Sequence, residues 1–347
     1  MSEDSRHIPA RLAAATSVGF RSLHFDNLVV EYPMVQAALA GYSDWPMRVI
    51  ASRLGAPFTL SEAMLPRFVL QVGRGKRAGR LLRPTGERAL CGAQLMAGDD
   101  DELPAAAQRL AHAGFHAVDV NLACPVKKVL RRRRGGHLMG QPEAAVRAVA
   151  RVRDGLPPDV PVTVKMRRGL DDSLESTEHF FAILDGVLRA GAAAVTVHGR
   201  TVRQRYEGRS SWPFLREVKH HAGSAVVLGS GDLFTARDCL AMIHQTGVDG
   251  VAVARGAIGN PWIFSQVRAL ALGEPCPEPS VSDQREVMLE HYRLAEETYG
   301  PQRTGPMMRK FGIWYARLHP RSEEVRLTFI RVGSQEDWHR AVAQWYR

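Results

Sequence analysis

Short apolar runs recur along the chain with gaps wide enough for a helix between each pair. They cover residues 33–38, 58–61, 90–95, 118–121, 162–166, 194–198, 225–228 and 250–254. Each is a few residues long and bounded by Gly, Pro or polar clusters, which predicts strands. Amphipathic stretches such as 102–113, 142–153 and 177–189 predict helices between them. Asp99 and Asp100 supply helix-start chemistry ahead of the first, and Gly114 and Gly191 are stops. Eight strand–helix units over about 240 residues match a (β/α)8 TIM barrel, an α/β fold. The alternative is a doubly wound sheet, but no GxGxxG turn follows the first strand.

The pattern changes at Gly273-Glu274-Pro275-Cys276-Pro277-Glu278-Pro279, a proline-rich linker. Residues 283–299, 305–318 and 335–346 then predict helices. The expected organisation is a flexible N-terminal extension over 1–27, a barrel over 28–272, a linker over 273–282 and a small all-α domain over 283–347. In that tail Trp314, Tyr315, Trp338, Trp345 and Tyr346 are mixed with Arg and Lys. Most of these aromatics read as the core of a small bundle, with some basic side chains left to face RNA.

Composition adds limits. Hydrophobic residues make up 45% of the 347, enough for a sizeable core. Cys91, Cys124, Cys239 and Cys276 lack CxxC or Cys/His spacing, so neither a metal site nor a disulfide framework is expected. No apolar run is long enough to span a bilayer, and the N-terminus lacks a signal-like core. A cytoplasmic monomer without membrane partners is the expectation. The formal charge of +10, much of it arginine as in Arg131–Arg134, makes a polyanion such as RNA the expected partner.

The chemistry gathers where the apolar runs end. Gln94 lies in the third, Asn121 and Cys124 follow the fourth, and Lys165 and Arg167 close the fifth. His198 and Arg200 close the sixth, Ser230-Gly231-Asp232 follow the seventh, and Ala254-Arg255-Gly256 the eighth. In a barrel these ends converge on one mouth, where active sites are built. Cys124 sits at a strand end beside Lys127, Lys128 and Arg131–Arg134, a positive setting that favours thiolate; most free cysteines, by contrast, are buried structural thiols. The small-residue turns at Gly231 and Gly256 let backbone N–H groups approach an anion. His198 by itself reads as a neutral hydrogen-bonded ring.

Asn121-Leu122-Ala123-Cys124-Pro125 resembles the Asn-x-Gly-Cys-Pro signature of the tRNA-dihydrouridine synthases. Val164–Arg167, Val197–Thr201 and Gly256–Trp262 are similar to further motifs of that family, in the same order. The resemblance runs from about residue 35 to 264 and, more weakly, into the tail. It implies an FMN-binding barrel with a helical tRNA-binding domain, reducing the C5=C6 bond of tRNA uridines with NADPH as hydride donor. Cys124 would be the acid that protonates C5. Gln94 and Lys165 would hold the isoalloxazine, and Asn121 would orient flavin or uracil. His198, Ser230, Gly231, Asp232, Ala254 and Arg255 would line the ribityl-phosphate side, with Ala38, Leu39 and Ala40 along the first strand end. Lys127, Lys128, Arg131, Arg167 and Arg200 would contact tRNA.

Five positions depart from the family wording. Ala38 and Leu39 replace the Pro-Met of Ala-Pro-Met-Ala-Gly, Ser230 replaces the asparagine of Asn-Gly-Asp, and Ala254 and Ala123 stand where glycine is common. They support one rival expectation, a noncatalytic RNA-binding descendant; a second rival, an FMN reductase acting on a free pyrimidine, is opposed by the helical tail and the +10 charge.

Overall fold

A computed structural model describes residues 21–72, 82–86, 89–98, 102–276 and 278–347. Ten strands occur among them: β1 (Leu23–Phe25), β2 (Leu28–Val30), β3 (Met34–Gln36), β4 (Thr59–Met64), β5 (Cys91–Met96), β6 (Ala117–Asn121), β7 (Val162–Arg167), β8 (Ala192–His198), β9 (Val226–Ser230) and β10 (Gly250–Val253). Strands β3 to β10 are parallel and close into a barrel, with β10 paired to both β3 and β9. The sheet therefore has no open edge, and the doubly wound alternative is excluded. Parallel neighbours need crossovers. These contain α1 (Trp45–Arg53), α2 (Pro66–Gln71), α3 (Leu103–His112), α4 (Lys127–Leu130), α5 (Pro142–Asp154), α6 (Leu174–Arg189), α7 (Trp212–Ala222) and α8 (Ala236–Thr246), and α9 (Ile263–Ala271) follows β10. The expected start at Asp99 and Asp100 lies outside the described residues, as do residues 1–20.

Strands β1 and β2 form an antiparallel hairpin that begins inside the stretch expected as an extension. Leu23, Phe25 and Val30 pack with the inward-facing Val35, Leu60, Ala117, Ala194, Leu228 and Ala252, so the hairpin plugs the barrel floor. Phe25 meets Phe58 edge-to-face at 5.7 Å. Gly92 makes the space: a Cβ there would lie 2.8 Å from Leu60 and 3.1 Å from Phe58. With the floor sealed by apolar side chains, chemistry is left to the opposite, C-terminal mouth.

The tail is a four-helix unit: α10 (Val281–Tyr299), α11 (Pro301–Tyr315), α12 (Ser322–Ile330) and α13 (Gln335–Trp345). Ser280 and Asp283 form a capping box that starts α10. Helix α11 begins four residues before the expected Gly305, because Pro301 fits a first turn where no N–H is needed. Gly305 and Gly312 serve packing instead. A Cβ on Gly305 would lie 2.5 Å from the Ser334 backbone, and one on Gly312 2.2 Å from the Phe329 ring. Helix α12 was not legible: it buries only Val325 and Phe329 along its length. Trp338, Tyr346 and Tyr315 are buried, as the core reading expects.

Candidate active site

The pleat of four adjacent strands, β5 to β8, sets up the site. Register pairs Gln94 with Asp119, Asn121 with Lys165, and Arg167 with His198. Alternate residues face the barrel axis, so β6 presents Asp119 and Asn121, β7 presents Thr163, Lys165 and Arg167, and β8 presents His198. Asp119 accepts from Thr163 Oγ1 at 2.6 Å and from Gln94 Nε2 at 2.7 Å. Asn121 Nδ2 donates to Gln94 Oε1 at 2.6 Å, while Asn121 Oδ1 accepts from the backbone N–H of Ala123 (2.9 Å) and Cys124 (3.1 Å). A continuous polar column thus rises from inside the barrel to the Cys124 loop.

Cys124 is half-buried. Gly135 and Gly136, which follow the arginine run, close over it: the Gly136 N–H donates to the Cys124 carbonyl at 3.0 Å. A Cβ on Gly135 would lie 2.9 Å from the Cys124 Cβ, and one on Gly136 2.7 Å from the Cys124 oxygen. Burial pushes the thiol above its ordinary value, against the opposing effects of the Val126 backbone and Arg167. This corrects the expectation of a favoured thiolate. Lys127, Lys128 and Arg131–Arg133 are exposed, and water screens their charge from the thiol.

Arg167 lies beneath the mouth rather than on an outer surface. Its guanidinium donates to the carbonyls of Ala123 (2.9 Å), Thr201 (2.9 Å) and Arg205 (2.7 Å), tying the Cys124 loop to the segment after β8. Arg200 is equally buried, one guanidinium nitrogen facing both oxygens of Asp232 at 2.7 and 2.8 Å and donating to the Gly208 carbonyl. Both guanidiniums are thus engaged by protein acceptors, and the expected tRNA contact gives way to a scaffolding role. Arg200, which can only donate, faces His198 Nε2 at 3.3 Å, so that nitrogen accepts and the ring proton sits on Nδ1. Burial, then Lys165, Arg167, Arg200 and Arg255, hold His198 well below the ordinary imidazole range, and it is neutral. Burial and Arg167 bring Lys165 down to about 7, with Asp119 opposing.

Gly231 has φ +111°, and a Cβ there would strike Ser210 at 2.5 Å and the His198 ring at 2.7 Å. Its backbone lies against the imidazole, which only glycine permits. Asp232 also accepts from the Ser210 N–H at 2.8 Å. Ser230 turns its hydroxyl to the Ala252 carbonyl at 3.0 Å, sealing β9 to β10. Gln94, Asn121, Cys124, Lys165, His198, Gly231, Asp232, Ala254 and Arg255 therefore share one mouth. Ala38, like Ala254, packs on the edge of the apolar cluster inside the barrel, and Leu39 packs against the outer core, its N–H donating to Ser43 Oγ at 2.8 Å; Ala40 is exposed beside it. Sequence reasoning missed Asp119, Thr163, Ser210, Gly135 and Gly136. Asp119 was within reach, since it lies two residues before Asn121 and so on the same face.

Alternating cations and rings cross the mouth. Arg255 stacks on Tyr206 (4.9 Å) and Phe234 (5.3 Å), and Arg317 of the tail on Phe234 (5.6 Å) and Trp314 (5.0 Å). Tyr206 is exposed. Among the described residues no His, Cys, Asp and Glu cluster suits a metal ion, and no helix is long and apolar enough to cross a membrane.

The chain is similar to known proteins. A probable tRNA-dihydrouridine synthase of Rickettsia bellii is 32% identical over 308 residues, covering 86% of this chain and 90% of that protein. A tRNA-dihydrouridine synthase B of Xanthomonas campestris is 32% identical over 306 residues, covering 87% and 89%. The solved structure of morphinone reductase in complex with tetrahydroNAD matches with TM-score 0.53 and 15% identity, covering 76% of this chain and 93% of the other. That likeness shows the barrel fold alone. The dihydrouridine synthase (Dus) model matches residues 35–344, barrel and helical tail together, and the chain belongs to that oxidoreductase family.

Proposed function

We propose that the protein is an FMN-dependent reductase that converts uridines in tRNA to dihydrouridine with NADPH. The observation that carries this reading is a half-buried thiol, held through its backbone N–H by Asn121, at the mouth of a cationic barrel. Lys165, Arg167, Arg200 and Arg255 surround His198, with Asp119 and Asp232 as the nearby carboxylates. Such a surplus fits an anionic group, and the Gly231 cradle, which a single Cβ would fill, leaves backbone open beside it. Lys165, Gln94 and Asn121 would hold the ring of FMN, and His198 with the turns at Gly231 and Arg255 its phosphate side. None of the five departures removes these groups.

Bound there and reduced by NADPH, FMN would supply the hydride for C6 of the uracil. Cys124 supplies the proton for C5: its S–H bond breaks, a C5–H bond forms, and water returns the proton to the half-exposed sulfur. A raised thiol pKa suits that task, because the sulfur is protonated at neutral pH before the base arrives. Arg167, whose charge opposes the rise, stabilises the thiolate that forms. Its bonds to Ala123, Thr201 and Arg205 keep the cation in place. The exposed Lys127, Lys128 and Arg131 would meet backbone phosphates, and Tyr206 would stack on a base drawn from its helix.

The test is the visible spectrum of the purified chain, followed anaerobically through NADPH addition and then undermodified tRNA. Flavin bands that bleach and recover with tRNA support the proposal. No flavin uptake even with FMN supplied, or recovery with free uracil as readily as with tRNA, overturns it.

A further inference from the structure

We propose that Asp119 is a positioning residue for Cys124, acting through Gln94 and Asn121 by fixing the direction of their two amides. This rests on the reading of Cys124 as the acid, but the geometry stands without it. At the upper end, the Ala123 and Cys124 N–H groups can only donate, so the atom of Asn121 facing them is its oxygen. The Asn121 Nδ2 then points to Gln94, which must answer with Oε1, leaving its own Nε2 to point down. A donor pointing into a closed barrel needs a buried acceptor, and Asp119, 1% exposed, is that acceptor at 2.7 Å. Thr163 Oγ1 holds the second carboxylate oxygen at 2.6 Å. Both ends of the column are thus fixed, and no other orientation of either amide satisfies them.

Loss of the acceptor leaves Gln94 Nε2 unpaired in a dry interior, where an orphaned donor is costly. Rotating the Gln94 amide would relieve that cost at its lower end but set two Nδ2/Nε2 donors against each other above. Asn121 would then turn, and its hold on the Cys124 N–H would be lost. Asparagine at position 119 keeps the column: its oxygen accepts from Gln94 while its amide donates to the Thr163 hydroxyl, which rotates to accept.

The experiment compares Asp119→Ala and Asp119→Asn in the full-length, flavin-containing protein. Cys124 is alkylated with iodoacetamide across pH 6–10, and the modified cysteines are mapped by mass spectrometry. D119A should free the loop, with Cys124 reacting roughly tenfold faster at neutral pH and its midpoint moving toward that of an ordinary exposed thiol. D119N should follow the wild-type profile within about twofold, because its bonds differ only in which group donates to Thr163. Buried Cys239 should stay inert in both. A wild-type Cys124 profile in D119A overturns the proposal, as does a D119N profile matching D119A. Cys239 reacting in step with Cys124 also overturns it, since that marks general loosening. If D119A does not fold, Asp119→Leu, which fills the space without offering an acceptor, carries the same expectations. Alkylation needs no turnover, so failure of the dihydrouridine reaction in the wild type would leave this result readable.

Discussion

The phenol of Tyr299 donates to the carboxylate of Asp44 at 2.8 Å, tying the last turn of α10 to the loop after β3. The other Asp44 oxygen caps α1 by accepting from the Met47 N–H. Burial pushes Asp44 up to about 6, against these two bonds and Lys310. The folded pKa therefore lies above the ordinary value, and the protonated form favours folding. That contribution is full below about pH 4 and is lost as pH rises through about 6. Asp44→Asn keeps both contacts without the charge. Its melting temperature should exceed wild type at pH 8, by the equivalent of about 1–3 kcal/mol, with the gap closing at pH 5. Parallel melting curves across that range would contradict this assignment.

Removing the thiol should separate the two half-reactions. In Cys124→Ala, NADPH should bleach the flavin at close to the wild-type rate, while tRNA-dependent recovery should fall by about 10²–10⁴-fold. Stopped-flow absorbance resolves both phases. Equal losses in the two would place Cys124 outside the proton transfer.

Gly136→Ala should damage the site without touching a charged group. The added methyl would lie 2.7 Å from the Cys124 oxygen and 2.9 Å from Val202, so the loop must shift. About 1–3 kcal/mol of stability should be lost, together with most of the tRNA-dependent rate. Urea titration and the recovery phase report the two effects. An unchanged rate would show that the Cys124 loop tolerates movement.

The Arg200–Asp232 pair should behave as a unit. Arg200→Ala leaves Asp232 with only the Ser210 N–H and Arg255 at 3.7 Å. We expect a loss of about 2–4 kcal/mol, partly recovered in the double variant with Asp232→Ala. Additive losses in the cycle would mean that the two side chains act independently.

Neutralising Lys127, Lys128 and Arg131 together should weaken tRNA binding and flatten its salt dependence by roughly two to three in log–log slope. Binding isotherms at several salt concentrations measure this. An unchanged slope would move the RNA path away from α4.

Much of the architecture was legible because a strand buried between barrel and helices carries its own signature. Val118, Val120 and Val162 to Met166 read as strands from local composition alone, and their spacing required parallel crossovers. The convergence of Gln94, Asn121, Lys165 and His198 followed from the fold class, since strand ends in a barrel share one mouth. Helix α12 escaped because two buried residues in nine make almost no periodic signal. The β1–β2 hairpin escaped because its strands are three residues each.

What the sequence determined by itself was the set of groups and the order in which they meet: a barrel, a thiol at one strand end, cations at the next two and at the last, and a helical tail. Only the tertiary structure decided their states. Whether Cys124 is thiol or thiolate depends on how far burial outweighs distant surface charge, and nearest neighbours in sequence do not report burial. The roles of Arg167 and Arg200 depend on which carbonyls and carboxylates the fold brings to them, some more than 30 residues away. Hydrogen bonds act over about 3 Å, so only the folded chain selects their partners.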